Sequence, residues 1–356
     1  MAIHTKAALL FVLLSFPVVS WGQDVNKIYK GLEGLSPEKH RETLIEGAKK
    51  EGDLTIYFVF ARPVLEALFK KFSDKHPFIK VKFLRQGRGR ALAARYLTEL
   101  RAGKATADVI AGGDSAMIPL IRENALASYQ SPEHKHFPKQ YRGEHFRWTS
   151  VFISKWLFGY NTTQVDRSKL PKTYMDLLDP YWKGKVALDP LPNNFVRGSL
   201  KAFGKEKSLA FFHKLVETQD IQFRRGRTLQ SQLIIAGAIS SSPEVRHSLM
   251  KRYKDEGAPV DFHFAYPFPV TNGTVAIPLK APHPYTAALF IDFWLSIEGQ
   301  QFMVDRNFTV MRKGMTILPK EGMKNMVPIT LDFRMGTEAW VDKTAKEVFA
   351  RRAKGR

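Results

Sequence analysis

Three times before residue 125 a short apolar run breaks at glycine or proline and resumes with apolar residues at helical spacing. That repetition limits the fold more than any other feature of the chain. Leu54 to Phe58 runs into Ala61-Arg62-Pro63, after which Val64, Leu65, Leu68, Phe69 and Phe72 keep helical spacing as far as Pro77. Val81 and Phe83 alternate with Lys80 and Lys82, Gly87 and Gly89 follow, and Leu92, Leu97 and Leu100 continue as a helix. Asp108 to Ala111 stops at Gly112-Gly113, where Asp114 or Ser115 stands ready to cap a helix from Met117 to Asn124. Successive strand–turn–helix units predict a parallel sheet with right-handed crossovers, whose turns line up along one edge, the place where open α/β sheets bind ligands. Phe58–Arg62, Gly87–Arg90 and Gly112–Ser115 are therefore expected to converge.

The second of these turns is basic. Arg85, Arg88 and Arg90 surround its glycines, and backbone N–H groups with the positive end of the next helix would suit an anion there. A solvated turn that needs glycine only for backbone shape explains the same residues. The pattern recurs later. Lys185 to Leu188 reads as a strand, Asp189 to Asn194 as a turn holding Asn193, and Phe195 to Gly204 as a helix. Ile221 to Phe223 is a further strand before Arg224-Arg225-Gly226-Arg227, and Thr228 is placed to cap a helix from Leu229 to Ala236. A basic glycine turn ahead of a helix in each half favours the anion site. Val151 to Tyr160 reads as an extended exit from the first half, and Gly273 to Leu279 as the strand returning to it. From Pro284 one long amphipathic helix is expected to cross Glu298-Gly299, and the basic end Arg351 to Arg356 is expected to fray.

At 356 residues the chain is long enough for two lobes with separate cores. Lys and Arg number 55 against 34 Asp and Glu, a formal charge of +21 that implies anionic partners and says nothing of fold. The cations are spread along the chain without a nucleic-acid-binding motif, so no nucleic acid is expected. Cysteine is absent, which removes disulfides, thiolate metal sites and a cysteine nucleophile together. Lys6, the apolar run Ala7 to Val19 and Ser20-Trp21-Gly22 have the anatomy of a cleavable export leader, residues 1–22. No cysteine stands at the cleavage point for a lipid anchor, and no later run is long enough to span a bilayer. A periplasmic monomer without stable membrane insertion is expected. Catalytic patterns fail one by one: Gly113-Asp114-Ser115 is similar to the nucleophile block of GDSL hydrolases but no DxxH follows, and the Gly87 turn lacks the last glycine of a dinucleotide fingerprint. His134, His136 and His145 read as a surface loop. No reaction, cofactor or metal site is expected.

The succession Ala102 to Ile110, Gly159-Tyr-Asn-Thr-Thr163, Tyr181 to Ala187, Asn272 to Ile277, Ala281-Pro-His-Pro and Ala287 to Gln300 resembles the extracellular solute-binding proteins of bacterial ABC importers, in their ferric-iron-like branch. The resemblance implies an α/β periplasmic-binding-protein fold: two lobes, each a mainly parallel sheet flanked by helices, joined by two hinge strands. A ligand would be clamped between them and handed to ABC permease subunits. It places the first lobe at 53–157 plus 272–315, the second at 158–271, and a C-terminal segment, 316–356, packed on the lobes. Ferric binders of this kind hold the metal with adjacent tyrosines, and no two tyrosines are adjacent here. A small anionic ligand is therefore expected, a carboxylate, phosphonate, sulfonate or phosphate ester. The expected contacts are Phe58, Arg62, Arg88, Gly89, Arg90, Asp114 and Ser115 from the first lobe, with Asn193, Arg225, Arg227, Thr228 and Tyr266 from the second. A ferric-ion or ferric-chelate binder, using Tyr160 and Tyr266, and a secreted hydrolase using Ser115 are the alternatives.

Overall fold

The computed structural model describes residues 24–315 and 320–354; the proposed leader, 1–22, lies outside them. The chain opens with α1 (Val25–Lys30) and α2 (Pro37–Glu51), then alternates β1 (Asp53–Phe58), α3 (Arg62–Lys75), β2 (Lys80–Arg85), α4 (Gly89–Arg101), β3 (Val109–Gly113) and α5 (Asp114–Arg122). β1 lies between β2 and β3 and is parallel to both, as the three repeated units require. Apolar side chains cover both faces: Ile56 and Phe58 pack with Phe69, Phe72 and Phe290, while Tyr57 and Ile110 pack with Leu92, Tyr96 and Met117. Residues 127–147 are more than a surface loop, since Phe137 and Tyr141 are buried and His134 bonds Thr149 Oγ1 while stacked on Phe146.

β4 (Thr149–Asn161) then crosses the molecule. Its first half pairs antiparallel with β9 (Phe268–Ala276), from Thr149 opposite Val275 to Lys155 opposite Val270. Its second half pairs with β7 (Ser241–Arg246) and β8 (Val260–His263). β9 in turn pairs with β3, so two long strands carry the chain between the cores. Gly273 is necessary to this arrangement, because a Cβ there would enter the ring of Phe152.

Between β4 and β7 lie β5 (Ala187–Leu188), α6 (Asn193–Phe203), α7 (Lys205–Thr218), β6 (Gln222–Phe223) and α8 (Arg227–Ile235), and α9 (His247–Asp255) follows β7. Among the described residues parallel pairing in this half is limited to β5–β6 and single bridges from Val186 to Ser241 and from Thr173 to Tyr266; β7 and β8 run antiparallel to the crossing strand. A separate core of Phe158, Tyr174, Trp182, Phe195, Phe212 and Phe349 fills it.

The long helix expected from Pro284 is two helices, α10 (Pro284–Leu295) and α11 (Ile297–Val304). Ser296 between them is extended (φ −63°, ψ 167°), and its hydroxyl accepts from the N–H of Gly299 at 3.2 Å, capping α11. After α12 (Lys320–Asn325) and β10 (Met326–Pro328), α13 (Leu331–Thr344) lays Leu331 in a first-lobe core and Val341 in the second-lobe core. A π-helical turn, Ala345–Ala350, buries Val348 and Phe349, and α14 (Arg351–Lys354) continues the helix where fraying is expected from the sequence.

Candidate ligand-binding cleft

The three first-lobe turns do meet. Phe60 and Ala61, Arg85, Gly87 and Gly89, and Gly113, Asp114 and Ser115 all line one cleft of about 770 Å³. Gly89 is fixed by close approach: a Cβ there would lie 2.8 Å from the backbone nitrogen of Ala116, so the amino ends of α4 and α5 touch only because the side chain is missing. The opposite wall comes from the starts of α6, α8 and α9, and the floor from Phe152 to Trp156 of β4 with Thr271 and Asn272 of β9. Among the described residues six helices of nine or more residues, α3, α4, α5, α6, α8 and α9, begin at this cleft, and in none does the N-cap side chain bond the first turn. Their dipoles add positive potential to the space in front of them.

The side chains act in the same sense. Among the described residues the lining holds eight cations, Arg85, Lys155, Arg197, Arg227, Arg246, Arg252, Arg306 and Arg334, against one carboxylate, Asp114. Lys155 is 6% exposed and its ammonium has no ion-pair partner among the described residues; burial lowers it from the ordinary 10.5 to about 8. Arg246 and Arg227 both stand over the Trp156 indole, at 5.3 and 5.4 Å, while the indole nitrogen donates to Thr271 Oγ1 at 3.0 Å. Arg227 is paired with the buried Glu244 at 2.7 Å, and burial raises the Glu244 carboxyl against the pull of that arginine. His247, next along, is pushed to about 3 by burial and by Lys155, so it is neutral at pH 7.

A second cationic group stands at Asp114. Arg197 is 1% exposed, and burial and the neighbouring Arg334 lower its guanidinium to about 10. Among the described residues its one hydrogen bond is Nη1 to the carbonyl of Asn193 at 3.5 Å, and Nε has none. Arg334 Nη1 is 3.6 Å from Asp114 Oδ2, and the Asn272 amide donates to Oδ1 at 3.4 Å. Burial outweighs these contacts and raises Asp114 to about 6.

Gly89, Asp114, Ser115, Asn193, Arg227 and Thr228 of the expected contacts line the cleft. The others stand elsewhere. Phe58 is fully buried, edge-on to Phe69 and Phe83, because it points into the core face of β1. Arg62 pairs with Glu66 one turn along α3 at 2.8 Å. Arg88 is the exposed N-cap residue of α4, and Arg90 turns outward to Glu338 at 2.6 Å. Arg225 is exposed beyond the lining, since the glycine after it (φ +100°) turns the chain so that Arg227 faces inward. Tyr266 packs on Phe203 and Tyr160 lies in the second-lobe core, so neither tyrosine proposed for iron reaches the cleft. Asp114, Ser115 and Thr228 also do not cap: the N-cap residues are Gly113 and Gly226, and helix begins earlier than expected.

Sequence reasoning missed Lys155, Arg197, Arg246 and Arg334. A lone lysine in the apolar run Val151 to Tyr160 and an arginine between Val196 and Gly198 were signals available for the first two. Arg246 ends a strand disguised by Pro243, and Arg334 comes from the C-terminal helix, far away in sequence.

A family model described as bacterial extracellular solute-binding protein matches residues 104–339. The chain belongs to that family. Among solved structures this solute-binding protein is similar to iron-bound HitA from Pseudomonas aeruginosa, with TM-score 0.71, 22% identity, and 83% of this chain and 99% of that chain covered. It is also similar to AfuA from Actinobacillus pleuropneumoniae with exogenous fructose-6-phosphate bound, with TM-score 0.67, 20% identity, and 84% and 98% covered. Both likenesses establish the two-lobe fold. An Fe(3+)-binding periplasmic protein of Serratia marcescens is 30% identical over 105 residues, 29% of this chain and only 30% of that relative's length. Among the described residues no group of histidines and carboxylates is arranged to hold a metal, and no helix is long and apolar enough to cross a membrane.

Proposed function

We propose that this chain is the exported solute-binding component of an ABC importer, and that it captures a small anion between its lobes and delivers it to the permease. One observation carries the choice of an anion: Lys155, Arg197 and Arg246 face a concave site and have no carboxylate within ion-pair distance among the described residues. Cations kept together without counter-charges repel one another and are costly to bury, and an anion entering the cleft relieves both costs. In this reading 53–157 with 272–315 form one lobe and 158–271 the other, and the lobes close on the ligand about β4 and β9. Titration calorimetry of the mature protein against carboxylates, phosphonates, sulfonates and phosphate esters tests it. One site should be found, and Arg246→Ala should weaken it by roughly 10-fold or more, the range of one charge-assisted contact. Unchanged affinity in both Arg246→Ala and Lys155→Met would refute the site.

The iron named for HitA and for the Serratia protein supports a second reading, iron carried as an anionic chelate. In it the chelator supplies the hard oxygen donors, because no tyrosine lines the cleft among the described residues. A coloured complex formed with ferric chelate and not with ferric ion would distinguish it.

A further inference from the structure

We infer that the cargo is an organic molecule with two separate acid groups on a flat apolar body, an aryl dicarboxylate or its sulfonate analogue. The inference rests on the anion reading above and narrows it. Its first support is that the cleft cations form two groups. Arg227 and Arg246 stand over Trp156, and Lys155, one residue back along the same strand, lies near His247 at the start of α9. Arg197 and Arg334 gather round Asp114, where α6, α13 and the start of α5 meet. The field at Arg246 comes from Arg227, whereas that at Arg197 comes from Arg334, Asp342, Glu338 and Asp114, so each group has its own charged neighbours.

Each group also contains a cation that a ligand is needed to satisfy. Arg197 is almost wholly buried with Nε unpartnered, and Lys155 is more than nine-tenths buried with its ammonium at the cleft. A single acid group at one end leaves the other cation buried and unanswered, at a cost that a second acid group removes. The carboxylates nearby are already engaged: Glu244 by Arg227 and the N–H of Asn194, Asp114 by Arg334 and Asn272, and Glu338 and Asp342 by Arg90 and Arg122.

Size and surface decide the body. An inorganic oxyanion fills only a few times the ~30 Å³ of a water molecule, whereas about 770 Å³ lies in the range of organic ligand pockets. Phe60, Phe152 and Phe308 line the cleft, in contact edge to face at 4.8 and 4.7 Å, and Trp156 lines it four residues along β4 from Phe152. A flat ring or short alkyl chain packs against these rings without leaving a polar group unpaired.

The test is calorimetry of the mature protein with benzoate, isophthalate, terephthalate and inorganic phosphate. The inference expects a benzene dicarboxylate to bind at least ~30-fold more tightly than benzoate. Arg246→Gln and Arg197→Gln should each weaken the dicarboxylate by ~10-fold or more, and benzoate should respond to one of them only. Because Arg197 is buried, thermal melts accompany its variant, and the cleft-facing Arg246→Gln decides the matter if the other does not fold. Benzoate and dicarboxylates binding within threefold of each other, or benzoate weakened by both variants, overturns the two-group cargo and leaves the anion reading intact. Tight phosphate with no benzene dicarboxylate binding does the same. Failure of every anion to bind removes both.

Discussion

Lys155 is the side chain whose replacement says most about how the cleft works. Its fall from 10.5 to about 8 in the empty protein corresponds to about 3 kcal/mol, spent at neutral pH on keeping an ammonium charged where burial opposes it. The folded state binds fewer protons here than the unfolded chain between pH 8 and 10.5, so this group makes stability rise with pH across that window. Lys155→Met should therefore raise the melting temperature of the empty protein at pH 7, with the gain shrinking as pH approaches 10. Ligand binding should show the reverse. An anion beside Lys155 favours the charged form, so at pH 8, where half the molecules hold the proton, binding should take up about half a proton per ligand, and close to none at pH 6. Calorimetry in buffers of different ionisation enthalpy measures that number directly. The same substitution should weaken anion binding at pH 7 by roughly 10- to 100-fold, and Lys155→Arg should keep affinity while abolishing proton uptake. Binding at pH 8 without proton uptake, together with a melting temperature lowered by Lys155→Met, would refute the reasoning.

Gly89→Ala drives a methyl group into the start of α5 and should cost about 1–3 kcal/mol, seen as a lowered melting temperature. Arg88→Ala and Arg225→Ala, which remove cations outside the lining, should each leave anion affinity within about twofold by calorimetry, in line with exposed charges that a salt-containing buffer screens. Asp114, raised from 3.8 to about 6, holds its proton in the folded state over that interval, so stability should fall by about 3 kcal/mol as pH rises from 4 to 7. Asp114→Asn should flatten that slope in thermal melts taken across the same range.

Much of the first lobe was legible because each of its strands is a short apolar run closed by glycine or proline, and three such units in succession allow few topologies. The convergence of Phe60, Gly89 and Asp114 follows from that topology alone. Which arginines face inward does not. Arg88 and Arg90 flank the cleft glycine Gly89, yet one is a solvated N-cap residue and the other reaches outward to Glu338, a partner 248 residues away. Arg225 and Arg227 differ only by the turn at Gly226, whose positive φ sends one out and the other in. Lys155 and Arg197 were hidden by burial itself, since a cation in an apolar run reads as an interruption of the core. The α10–α11 break is set by Ser296, whose hydroxyl caps α11 at Gly299 within an apolar periodicity that otherwise runs on unbroken.

The central claim, that the cleft between the lobes holds a small anion, is tested most directly by mass spectrometry of the protein as isolated. Native spectra should show one bound small molecule per chain, and denaturation should release a species that ionises as an organic acid. Substituting Arg246 by alanine should remove the extra mass. A mass increment equal to ferric iron alone, or a released molecule without acidic groups, would contradict the account.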